Sequence, residues 1–309
     1  MVLEELSARL NEVGYKNWLK AGYCLLKVKD GLYGYLDAEM RHFHSSVIRN
    51  NDTLRRGRMC TSHCRPKGNQ LQSVCPLCNE WKTEILRHHT NAMAVVNWGN
   101  CRPWLWSSEH WELAKAYMPR GLANVTRADQ CDAAALLNLL NFCDHFSSIN
   151  PQLVREVIRC RNELMHSCEM RVSTSWMEQY QRSVEQLLLQ LRHVPEVAAA
   201  GRQIQEMLLV DLSVLVPGVD CVDGDQMEGA EHEFISQWET ELLREFLQDV
   251  LNNAEEGKTL TPEGMEKLKN MQQFLQDHQD LKEQFRTELQ CLLSVEERLP
   301  QNTGEETMS

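Results

Sequence analysis

The chain of 309 residues is 42% hydrophobic and 25% charged, with a formal net charge of −12 at pH 7. A prior of about 150 residues per domain suggests roughly two domains, enough to bury a real core. No run approaches the roughly 18 apolar residues of a membrane-spanning helix, and the acidic N-terminus MVLEELSARLNEV lacks the basic and apolar regions of a secretory signal. The expectation is a chain with no membrane partner, cytoplasmic and/or nuclear and not secreted, whose twelve cysteines are reduced thiols.

The charge is unevenly spread. Residues 1–127 carry 18 Lys+Arg against 11 Asp+Glu, net +7; residues 128–202 carry 7 against 9, net −2; residues 203–309 carry 7 against 24, net −17. The basic N-terminal part suits an anionic partner such as RNA, and the acidic tail does not.

Helical periodicity dominates the chain. Leu6, Leu10 and Val13 lie on one stripe of a first helix over 2–13. A second is expected over Lys16–Val28 and a third over Leu36–Arg49, with Gly31 and Gly34 breaking the pattern between them. Residues 50–79 are polar, basic and almost free of apolar period, so they read as a Cys-rich insertion. Helix returns at Glu80–His89, followed by the Trp-rich AVVNWGNCRPWLW and a helix WELAKAYM stopped by Pro119 and Gly121. Asp129 and Asp132 can cap the helix DAAALLNLLNFCDHF, and Asn150-Pro151 gives an N-cap and a helix-starting proline for QLVREVIRCRNELMH. Further helices are expected to end near His193 and to begin at Pro195.

Residues 211–230 read as a linker. Two long amphipathic helices over 231–254 and 262–297 then suggest an acidic helical hairpin, a weak coiled-coil candidate without a strict heptad and a surface for a protein partner. Residues 298–309 are expected to be a disordered tail.

Two constellations carry chemistry. The first is Arg161-Asn162-Glu163-Leu164-Met165-His166 on a capped helix. Residues four apart are separated by about 40° around the axis, so Asn162 and His166 share a face. A neutral His166 can take the proton of a ribose 2′-hydroxyl, Arg161 can offset phosphorane charge, and Asn162 can position either. The plainer alternative is a surface arginine and a histidine satisfied by its own helix. The second is Cys60-x3-Cys64-x10-Cys75-x2-Cys78. Four thiolates can hold a structural zinc and staple an insertion that has no core of its own, with His63 as an alternate ligand; unliganded loop cysteines are the alternative. His88-His89 can extend a metal or RNA site or sit at a helix end. Trp98, Trp104, Trp106 and Trp111 can stack bases or pack the bundle, and Arg55, Arg56 and Arg58 form a short basic cluster.

Arg-Asn-x3-His on a late helix of an all-α bundle resembles the signature of the HEPN superfamily. The stretches GYKNWLKAGYCLL, CPLCNEWKTEILRHH, NWGNCRPW, WELAKAYMPRGLA and VIRCRNELMHSCEM resemble the vertebrate family named for human chromosome X open reading frame thirty-eight. The N-terminal region is also similar to the HEPN-like region of the DAZ-interacting zinc-finger ubiquitin ligase. These resemblances imply a four- to five-helix bundle over 1–210. They place Arg161, Asn162 and His166 at the HEPN motif, where active members pair two bundles into one metal-independent endoribonuclease site and many others are interaction modules. The expected protein is therefore all-α: a HEPN-like bundle over 1–210 with the 50–79 insertion, then the 231–297 hairpin. It is expected to act as a homodimeric interaction or RNA-binding module, with a metal-independent endoribonuclease as the alternative. In either case Arg161, Asn162 and His166 are expected at the surface.

Overall fold

The computed structural model describes residues 2–57, 59–72, 74–91, 93, 96–165, 167, 170–210, 212, 228–255 and 262–298. Their regular elements are all helices, with no strand among the described residues. Most of the 211–230 linker and the 299–309 tail lie outside them, as does His166. The chain divides into two units. One comprises Met1–Gly22, Leu164–Thr174 and Asp211–Ser309; the other comprises Tyr23–Glu163 and Ser175–Val210.

After a short α1 (Val2–Leu10) of the first unit, the two helices expected on either side of Gly31 and Gly34 are a single 38-residue helix, α2 (Val13–Asn50), whose residues from Tyr23 on belong to the second unit. Its buried stripe of Leu25, Val28, Leu32, Leu36, Met40, Phe43 and Val47 repeats every three or four residues, and burial of that face outweighs the local cost of two glycines. The glycines serve separate ends. A Cβ on Gly31 would meet Ala200 Cβ at 3.0 Å and Val197 Cα at 3.2 Å, so Gly31 lets α2 approach α9 (Pro195–Leu209) closely. Gly34 faces open space, in a cleft of about 430 Å³ shared with Asp37, Arg41 and His110.

After α2 come a one-turn α3 (Asp52–Arg56) and α4 (Pro76–Arg87), then a Trp-rich cap holding α5 (His110–Ala114). Three helices follow: α6 (Ala133–Phe142), α7 (Pro151–Met165) and α8 (Thr174–Gln190). Two of the expected caps form: Asp132 accepts from Ala135 N at 2.8 Å, and Asn150 accepts from Gln152 N at 2.9 Å, whereas Asp129 accepts from Arg127 Nε at 3.0 Å. The cap is pinned from inside by Lys115, fully buried, which pairs with Glu112 at 2.8 Å and donates to the carbonyl of Val125 at 3.0 Å.

In the first unit, α10 (Glu228–Glu255) is the first arm expected from the sequence. The second arm is three helices rather than one: α11 (Pro262–Asp277), α12 (Gln279–Gln284) and α13 (Arg286–Arg298). The first break falls at His278, whose ring Nδ1 takes the Phe274 carbonyl at 2.8 Å, and it brings Asp280 to Arg9. Arg9 grips Glu239 through Nε (2.7 Å) and Nη2 (2.8 Å) and Asp280 through Nη1 (3.0 Å) and Nη2 (2.8 Å). Tyr15 donates to Glu239 at 2.6 Å. The apolar stripe of the arms is covered in the same unit: Trp18 meets Phe246, and Tyr15 stacks on Phe274. Within this unit the arms pack against Arg9, Tyr15 and Trp18. A buried arginine needs carboxylates, and those of Arg9 lie on α10 and α12.

Candidate metal centre and the arginine–asparagine motif

The insertion is framed by contacts that involve none of its cysteines. Asn51 caps α3, accepting from Thr53 N and Leu54 N at 3.0 and 3.1 Å, and its amide donates to Glu80 and Glu84 of α4 at 2.7 and 2.6 Å. Trp81 on α4 is buried and stacks on His44 of α2, with centroids 5.3 Å apart and planes 6° apart. His44 Nε2 lies 2.7 Å from the Trp106 carbonyl. The far end of the loop is a tight turn in which Lys67 and Gln70 exchange backbone hydrogen bonds of 2.9 and 3.0 Å. The turn needs the positive φ of Gly68 (+55°), which glycine adopts without a Cβ penalty. Lys82 closes the frame by donating to the Leu71 carbonyl at 3.0 Å.

Within this frame Cys60, Cys64, Cys75 and Cys78 converge, their sulfurs all within 4.8 Å of one another. Cys75 is the N-cap of α4, Pro76 starts the helix, and Cys78 lies one turn in, so two ligands sit at the positive end of a helix dipole that favours thiolate. The backbone N–H of Cys75 donates to Cys64 Sγ at 3.2 Å. Cys60 and Cys75 sulfurs are 3.8 Å apart, far from a disulfide and equal to the edge of a tetrahedron with metal–sulfur bonds of about 2.3 Å. Burial pushes the Cys60 thiol up, but the Cys64 and Ser62 N–H groups and the Cys78 thiol outweigh it and hold it lowered to about 7. Burial holds the Cys64 and Cys78 thiols above the usual range. The donor set suits a soft or borderline cation: four sulfurs, a hydrogen-bonded outer shell and no open position. Among the described residues no other group of three or more His, Cys, Asp or Glu converges in this way. His63 is exposed and outside the cluster, and His88 instead pairs with Asp144 at 2.8 Å.

Of the other constellation, Arg161 and Asn162 lie among the described residues. Asn162 is exposed, but Arg161 is buried, at 7% exposure, and its Nη2 lies 3.6 Å from Asp132. This corrects the expectation of a surface arginine. Arg161 stands four residues after Val157 and seven after Val154, both buried, so it belongs to the buried stripe of α7. His166 lies outside the described residues. Of the four tryptophans weighed for stacking, Trp98, Trp106 and Trp111 are buried and only Trp104 is partly exposed. The Arg65 guanidinium lies 5.0 Å from the Trp104 ring centre, a pairing that no local spacing announced. Cys131, Cys143 and Cys160 are buried free thiols.

An all-helical fold with a four-cysteine cluster that can hold a metal defines the class of this protein. The chain belongs to the family described as a domain of unknown function (DUF4559), whose model matches residues 9–307. It is also 42% identical over 300 residues to the mouse protein named "Uncharacterized protein CXorf38 homolog", covering 96% of this chain and 93% of the mouse chain. No solved structure matches it. No helix among the described residues is long and apolar enough to cross a membrane.

Proposed function

We propose that this protein is a non-catalytic, HEPN-like helical module that binds RNA and whose insertion is stapled by one structural zinc. The carrying observation is the convergence of Cys60, Cys64, Cys75 and Cys78 at the base of a loop, residues 55–79, with five Lys+Arg and no Asp or Glu. Four thiolates around Zn2+ carry a formal charge of −2, so the loaded loop is still net positive and can face phosphate. The burial of Arg161 against Asp132 speaks against the endoribonuclease alternative, because a phosphorane must be reached by the charge that stabilises it.

Elemental analysis of the purified chain should give one zinc per chain, and Cys78→Ser should abolish it. The insertion then becomes protease-sensitive while α7 and α8 persist. Labelled RNA should bind the wild-type chain and remain uncut in EDTA. Zinc-free protein with an ordered insertion, or metal-independent cleavage lost in His166→Ala, overturns the reading. Light scattering tests the homodimer that the HEPN resemblance implies.

A further inference from the structure

We infer that Arg65 and Trp104 form a stacking platform for an unpaired base of a single-stranded polynucleotide, the phosphates of which are met by Arg65 and Lys67. The inference rests on the RNA-binding reading above and names the site and strand state. Position is the first argument. Arg65 follows Cys64 directly, so metal ligation at Cys64 fixes the backbone from which the guanidinium projects. Trp104 stands in the 3-10 turn Pro103–Leu105, whose Pro103 carbonyl oxygen lies 3.5 Å from Cys78 Sγ. The metal cluster therefore touches both halves of the platform.

Exposure is the second argument. Trp98, Trp106 and Trp111 are buried, at 8%, 0% and 2% exposure, and cannot offer a face to a base. Trp104 is partly open and Arg65 is exposed, with the guanidinium 5.0 Å from the ring centre. Planar guanidinium and indole groups are the surfaces on which unstacked bases lie, and every base has a face for them. Within a duplex those faces are covered, so the platform selects single strands. Charge is the third argument. Lys67, exposed on the turn two residues on, offers a second cation, and the loop 55–79 has no carboxylate to oppose it.

The test uses the full, zinc-loaded chain and fluorescence anisotropy with labelled oligouridylate, oligodeoxythymidylate and a mixed-sequence RNA duplex. The single strands should bind at least about ten-fold tighter than the duplex, and Trp104→Ala should cost about ten-fold or more. Trp104→Phe should retain most binding. Arg65→Lys keeps the charge but removes the plane, so it should lose affinity while Arg65→Gln loses more. Two phosphate contacts at about 0.7 each in the salt slope weaken single-strand binding roughly seven-fold between 50 and 200 mM salt. The two single strands separate ribose from deoxyribose as the preferred source. Zinc content, measured for every variant, shows that the insertion is intact. Polynucleotide binding unchanged in zinc-loaded Trp104→Ala and Arg65→Gln overturns the platform while the RNA-binding reading stands, and so does equal binding of duplex. No binding of any polynucleotide overturns both and assigns the surface to a protein contact.

Discussion

Arg161 Nη2 lies 3.6 Å from Asp132 Oδ2, while Oδ1 of the same carboxylate accepts from Ala135 N and caps α6. One aspartate thus joins two helices, and the arginine of the Arg-Asn-x3-His motif is a fastening within the fold. Truncating Arg161 leaves Asp132 with its cap but without its cation. Because Asp132 keeps about a third of its surface exposed, solvent compensates part of that loss. Arg161→Ala should therefore destabilise by about 1–3 kcal/mol, read by urea unfolding. RNA affinity should be unchanged at temperatures where the variant is folded. An Arg161→Ala chain with full stability and abolished RNA binding would return the motif to the surface chemistry first expected of it.

Gly31 and Gly34 should respond to alanine with opposite signs. At Gly31 the new methyl would lie 3.0 Å from Ala200 Cβ and 3.2 Å from the Val197 Cα, which is backbone and cannot swing away. Gly31→Ala should cost about 1–3 kcal/mol by overpacking. At Gly34 a Cβ would meet nothing within 4 Å beyond its chain neighbours and the adjoining helix backbone, so Gly34→Ala should stabilise α2 by about 0.5–1 kcal/mol through helix propensity. Thermal unfolding of the two variants decides, and equal effects would mean that α2 does not cross α9 at Gly31.

The Glu112–Lys115 pair supports the cap that carries Trp104. Lys115 is fully buried and Glu112 nearly so; Glu112 also accepts from Arg102 N at 2.8 Å. Lys115→Ala would strand a buried carboxylate and should cost about 3–5 kcal/mol. The double variant Glu112→Leu with Lys115→Met should recover a large part of that loss, since a well-packed apolar pair often equals a buried ion pair. A double variant as unstable as the single one would show that the Arg102 contact, rather than the pair, sustains the cap.

Acid should loosen the unit containing Arg9. Burial pushes the Asp280 carboxyl up, but its hydrogen bonds from Arg9 outweigh this and leave it lowered. A carboxyl lowered in the folded state is stabilising above its unfolded value of about 3.9, and that contribution is lost as pH falls through the lowered folded value. Stability of the wild-type chain should therefore drop on acidification in that window. Asp280→Asn should remove this part of the pH dependence and cost stability at neutral pH. An unaltered acid limb in Asp280→Asn would mean that Asp280 does not titrate against Arg9.

Local signals carried much of this protein. Apolar spacing marked the helices, Asp132 and Asn150 marked their starts, and the intervals between Cys60, Cys64, Cys75 and Cys78 marked a metal-ligand set. Such features act within a few residues, through caps, turns and one-sided burial, so a linear reading finds them. The three-then-four spacing of Val154, Val157 and Arg161 is also legible in the sequence and points inward, although an arginine is expected outside. Other features needed partners that only folding supplies. Gly31 and Gly34 look like breaks until burial of a long stripe holds α2 together and α9 comes close. Arg9 sits 230 residues from Glu239 and 271 from Asp280, and no local pattern can announce a charge cluster spanning the chain. Likewise Trp104 differs from the other three tryptophans only because tertiary packing buries them and leaves it beside Arg65. Exposure is a property of packed surfaces, set by contacts distant in sequence.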